Sequence, residues 1–240
     1  MFELLGQMWQ FIQNPAPEPS FISETVIYLQ LCIVSTLLAI VVALPLGILV
    51  AQRQISAFLL TNFTGLMRAV PTLVFFALAY PYLGLGFKPA VIALTVIGIP
   101  PILLNTIAGL RGIDAATVDA ARGMGMTSLQ VLWRIQIPLT LPVVAAGVRT
   151  AAVQIVATAP LAALIGGAGY GDYIIGGLGL INIPIVLAGV IPVALLALLF
   201  EVALAGVQRL LTPAGLRVSQ PSAEEAPTQA AASSDQPLAA

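Results

Sequence analysis

Long runs without a charged residue set the plan of this chain. Residues 25–52 carry no charge at all, more than the roughly 20 apolar residues a helix needs to cross a bilayer. Arg53 closes that run. A second apolar stretch covers about 57–80 and contains Arg68 and Pro71, so it is predicted to be bent or discontinuous. The turn-rich link 81–89 leads to a third stretch at 90–110, interrupted by Gly98, Pro100 and Pro101. Breaks at membrane depth are tolerated only where protein or a water-lined path covers the freed backbone. Residues 111–137 form the one long polar segment between apolar stretches, and a fourth stretch follows at 138–165. Residues 166–179 hold seven glycines in fourteen positions and read as an outer re-entrant loop or gate, or else a flexible link, rather than a plain helix. A fifth stretch covers 180–207.

The flanks differ. Phe2, Leu5, Met8, Trp9 and Ile12 fall at helical spacing, which predicts an interfacial segment over 1–20 anchored by Trp9. No basic region precedes it, so a cleavable leader is not expected. The tail at 213–240 is rich in Ala, Pro, Ser and Gln and is expected to be disordered. The membrane domain is therefore 21–212, all-α, with about five transmembrane helices.

Composition narrows the chemistry. The chain is 59% hydrophobic and 8% charged, too few charges to coat a soluble core. Its net charge of −1 gives no field for nucleic acid, so the bilayer is the expected surrounding. It has no histidine and a single cysteine, Cys32, which excludes a Cys/His metal site or a Ser-His or Cys-His catalytic pair. Its only lysine, Lys88, precedes Pro89, so no G-x-x-x-x-G-K-[ST] phosphate loop exists. Any ATP must be bound by another chain. No catalytic or metal-binding residues are expected.

Five crossings put the termini on opposite sides. With the N-terminus outside, Arg53, Arg111, Arg122, Arg134, Arg209 and Arg217 face the cytoplasm and only Lys88 faces out, which satisfies the positive-inside rule. The polar segment 111–137 is then cytoplasmic. Within it Asp114 is a good N-cap, Ala115 to Arg122 favour helix, and Gly123 and Gly125 end it. Thr127 and Gln130 form a capping box for a second helix that enters the membrane near Pro138. Ala120 and Ala121 allow close approach of another surface, and Met124 and Met126 are adaptable apolar contacts. A solvated loop helix with a local Asp119–Arg122 pair is the bland alternative.

Asp119-Ala120-Ala121, Gly125 four residues on, and then Ile135-x-Ile137-Pro138 resemble the EAA loop of ABC importer permeases, with Asp119 and Ile137 replacing the usual Glu and Leu. Leu44-Pro45-Leu46-Gly47, Val70-Pro71-Thr72-Leu73, Asn105-Thr106, Ala121-Arg122-Gly123-Met124-Gly125-Met126, Ala146-Gly147-Val148-Arg149 and the loop with Gly166, Gly167, Gly169, Tyr170, Gly171 and Asp172 resemble the osmoprotectant subgroup, for glycine betaine, carnitine, choline and proline. The resemblance implies a methionine-importer-permease-like core in a bacterial inner membrane. It implies a second permease subunit, identical or paralogous, and an extracytoplasmic substrate-binding protein. ATP and Mg would be held by cytoplasmic ABC ATPase subunits docked on residues 119–126.

Charges inside the bilayer need partners. Glu201 is expected to pair with Arg149, Arg68 or both, and Arg68, Pro71, Asn105, Arg149 and Glu201 are the candidate pathway or intramembrane polar residues. Tyr80, Tyr82, Tyr170 and Tyr173 could face the cation of a betaine, or form an interfacial belt. Competing readings are a permease for another small solute such as an amino acid, and an ATP-independent secondary transporter, which the lone intramembrane acid disfavours.

Overall fold

The computed structural model describes residues 2–13 and 20–211. Residues 14–19 of the N-terminal segment, the tail at 213–240 and Arg217 lie outside the described residues. Among the described residues the chain is helical without a strand: α1 (Phe2–Gln13), α2 (Phe21–Ala51), α3 (Gln54–Ala69), α4 (Thr72–Leu83), α5 (Phe87–Arg111), α6 (Ala115–Gly123), α7 (Ser128–Val131), α8 (Ile137–Thr158), α9 (Tyr170–Gly179) and α10 (Ile183–Leu211). A π-turn stretch, Leu132–Gln136, joins α7 to α8, and a 3-10 stretch, Ala159–Ile165, extends α8.

Four segments are long and apolar enough to cross a membrane: α2, α5, the continuous run 128–165, and α10. The pair α3 and α4 makes a fifth, bent by 91°. The bend falls at Val70, which is extended (φ −72°, ψ 125°) because Pro71 follows it. The ends of the pair lie at opposite ends of the bundle. Gln52, just before α3, shares a groove with Arg111 and Gln136 at the α6 end. Gly86, just after α4, donates its N–H to the Ile165 carbonyl (2.8 Å) at the α9 end. The broken pair is thus one crossing.

Pro100 and Pro101 do not break α5, against the expectation of an interruption there. They remove two N–H donors, but α5 is the most buried of the spans, and its neighbours hold it helical. Small residues bring those neighbours close, as is usual where lipid offers no hydrophobic drive for helix association. Ala39, Ala43 and Gly47 recur every fourth residue on the buried face of α2. A Cβ on Gly109 would lie 2.4 Å from the Thr140 side chain, and one on Gly147 2.6 Å from that of Asn105, so α5 and α8 meet at backbone distance.

Residues 170–179 correct the sequence reading: they form a helix. The turn before it uses left-handed backbone at Gly166 (φ +71°), Ala168 (φ 54°) and Gly169 (φ +97°). The helix α9 then folds back on α10 as a hairpin. Its buried glycines, Gly171 and Gly177, serve packing: a Cβ on Gly171 would lie 2.1 Å from the Pro160 carbonyl oxygen. Tertiary contact here outweighs a poor intrinsic helix propensity.

Gly171→Ala is expected to lower the stability of the purified protein in detergent by about 1–3 kcal/mol, the usual cost of overpacking. Gly176→Ala, on the open face of the same helix with nothing within 4 Å, is expected to be neutral or stabilising. Thermal unfolding of the two variants side by side checks the assignment.

Candidate coupling segment and intramembrane polar sites

The helix α6 is closed at both ends. Asp114 accepts the Ala116 N–H (3.1 Å) at its start. At its end the Met124 N–H reaches the Ala120 carbonyl (3.0 Å) and the Met126 N–H reaches that of Ala121 (3.2 Å). Gly125, at φ +83°, makes this turn possible. The next helix starts at once: the Thr127 N–H donates to Gln130 Oε1 (2.8 Å) and the Gln130 N–H to Thr127 Oγ1 (3.4 Å), the expected capping box. Helix, turn and helix form a stiff element that runs without interruption into the fourth crossing.

Most of its surface is free. Asp119, Ala120, Arg122, Gly123, Met124 and Gly125 are exposed, Met126 is half-buried, and Ala121 alone is buried. The Asp119–Arg122 pair (3.9 Å) is exposed and contributes little stability. Leu129 and Trp133 add exposed apolar surface to the same projection. Between α6 and the bundle lies a groove of about 620 Å³ lined by Arg111, Arg122, Ser128 and Gln136.

Within the bundle the structure pairs Arg149 with Glu201 (2.7 Å). Arg149 also donates to Gln208 Oε1 (3.2 Å), and Gln208 Nε2 donates to the Pro142 carbonyl (3.3 Å). Three side chains therefore clasp α10 to α8. Sequence reasoning missed Gln208, although it lies two turns after Glu201 on the same face. Arg68 is not in the clasp, contrary to one expectation; it ends α3 beside α5. Pro71 caps α4. Asn105 donates to the Pro101 carbonyl (2.8 Å) of its own helix.

At the α9 end the buried Glu24 carboxylate accepts the Gly169 N–H, which ties the start of α2 to the turn before α9. The Tyr170 and Thr25 hydroxyls bond each other (2.7 Å). Tyr170 packs against Tyr28 (ring centroids 5.0 Å) and Tyr173 against Phe11 (5.6 Å). Both tyrosines are buried, so neither presents a free face to a cation; Tyr80 and Tyr82 are exposed. Gly167 and Gly171 are buried in the packing, and Gly166 and Asp172 are exposed. Partial desolvation holds the Asp172 carboxyl above the ordinary carboxylate range.

A bundle of five apolar crossings with a capped helix projecting from one end is a polytopic membrane protein of the permease type. Residues 43–214 match the binding-protein-dependent transport system inner membrane component family, and the chain belongs to that family. It is 34% identical to a glycine betaine/carnitine/choline transport system permease protein of Bacillus subtilis, across 89% of this chain and 97% of that one. It is 38% identical to a carnitine transport permease protein of Listeria monocytogenes, across 92% and 94%. In fold it matches a chain of the MetNI methionine ABC transporter in inward-facing form, with TM-score 0.71, 21% identity, and coverage of 80% of this chain and 96% of that one. The chain is thus an inner-membrane component of a binding-protein-dependent importer, and the family implies ATPase and binding-protein partners.

Glu201→Ala is expected to destabilise the protein by roughly 1 kcal/mol, the scale of interhelical polar contacts in membranes. The exchanged pair, Arg149→Glu with Glu201→Arg, is expected to recover at least half of that loss. Thermal unfolding in detergent across this double-mutant cycle is the measurement.

Proposed function

We propose that this chain is the permease subunit of an ATP-driven importer for small quaternary-ammonium osmolytes, of the glycine betaine, carnitine or choline kind. The names of relatives 34–38% identical over most of the chain support that solute class. The observation that carries the mechanism is the stiffness and exposure of α6. Its caps and the left-handed Gly125 let it move as one body with the fourth crossing, and Asp119, Ala120, Arg122 and Met124 form the free surface that an ATPase would grip. Two permease chains form the pathway. A cytoplasmic ATPase pair holds ATP and Mg and docks on residues 119–126. Closure of that pair moves α6, and the clasp on Glu201 carries the motion to α10. A separate binding protein delivers solute at the α9 end. The N-terminus lies outside and the C-terminus in the cytoplasm, with α1 at the outer interface.

Gly125→Trp is expected to uncouple transport by distorting the turn after α6. Asp119→Lys, on the surface, is expected to weaken recovery of the ATPase with the purified permease. ATPase stimulation by loaded binding protein in reconstituted membranes should fall by roughly fivefold or more in either variant, the scale of a 1–3 kcal/mol coupling. Gly206→Ala, outside residues 119–126 and with nothing within 4 Å of the added Cβ, should leave it unchanged. Unchanged stimulation in both Gly125→Trp and Asp119→Lys would refute the docking role of α6.

A further inference from the structure

Arg68 is the intramembrane charge that the clasp leaves over. It lies where the second crossing breaks, and among the described residues it has no ion pair or hydrogen bond. A cavity of about 40 Å³ opens beside it, lined also by Thr72 of α4, Val96, Ile97 and Pro100 of α5, and Gln154 of α8. The Gln154 side-chain amide likewise has no partner among the described residues, and neither group is sealed from solvent-accessible space. The depth of the cavity is read from α5: Val96, Ile97 and Pro100 straddle the midpoint of that helix.

Two backbone interruptions converge at this level. Pro71 breaks the second crossing, and Pro100 and Pro101 deprive the carbonyls of Val96 and Ile97 of their helical N–H donors. An unpaired cation at the bilayer midplane is costly, and irregular backbone there is tolerated where it lines a cavity. The cost of the cation falls if the site receives an anion, and the freed carbonyls are left to water in the cavity. The cavity is too small for a whole osmolyte but admits a carboxylate.

We propose that Arg68 and Gln154 form a midplane site for the carboxylate of a zwitterionic solute. The guanidinium makes a charge-assisted contact, the amide of Gln154 adds a second donor, and the trimethylammonium end of the solute extends out of the cavity along the pathway. This rests on the osmolyte reading above and sharpens it: glycine betaine and carnitine carry the group this site binds, and choline, an alcohol, does not.

Cys32 is fully buried, so a thiol placed at Thr72 would be the reactive one among the described residues. In the assembled permease–ATPase complex, maleimide labelling of Thr72→Cys is expected to slow about tenfold in saturating glycine betaine and to be unaffected by choline, as the strength of a charge-assisted bond requires. Adding Arg68→Gln should abolish the protection. Equal protection by choline, protection that survives Arg68→Gln, or a Thr72→Cys that never labels would each overturn the site. Uptake of glycine betaine, carnitine and choline by the native complex with its binding protein separates the two claims. Transport of glycine betaine without protection sinks the Arg68 site alone. Transport of none of the three sinks the osmolyte reading and this site with it.

Discussion

A peptide N–H inside hydrocarbon has no water to bond, so a chain that crosses a bilayer must satisfy its backbone from within. That constraint accounts for the long uninterrupted helices α2, α5 and α10. It also gives meaning to the places where helices do break. The turn at 166–169 lies at one end of the bundle, where the Glu24 carboxylate supplies an acceptor for Gly169. The turn at 124–127 lies at the other end, where capping bonds take up the loose backbone groups. The break at Val70 and the prolines of α5 fall between those ends, beside a cavity lined by the polar side chains of Arg68 and Gln154.

Polar side chains elsewhere act as ties. Glu24 fastens the start of α2 to the base of α9, and the Arg149–Glu201–Gln208 clasp fastens α10 to α8. Between these ties, Gly47, Gly109 and Gly147 bring α2, α5 and α8 to backbone distance. A bundle tied at both ends and close-packed between them is suited to motion by rigid rotation rather than by local bending. In the proposed function, α6 and the turn after it are the part that drives such rotation.

Likeness at different levels supports different claims. The match to the methionine transporter chain, at 21% identity, speaks to the fold alone, since one helical frame can serve many solutes. The permeases for carnitine, choline and glycine betaine are nearer in sequence, and the solute class of the proposed function rests on them. The mechanism rests on α6 and its caps, whatever the solute.

The sequence by itself determined the membrane class, the apolar crossings, the proline break after Arg68, the caps of α6 and the capping box at Thr127, because each depends on residues close together in the chain. It also narrowed the partner of Glu201 to two arginines by depth. Only the tertiary structure decided between them, since that choice depends on which faces α8 and α10 turn toward each other. It likewise decided that a glycine-rich stretch becomes the helix α9, because the close approach of Pro160 and α10 rewards residues without a Cβ. It kept α5 helical through two prolines by surrounding it with other crossings. And it gathered Arg68, Gln154 and the middle of α5 around one cavity, a meeting of residues far apart in sequence that no local pattern could announce.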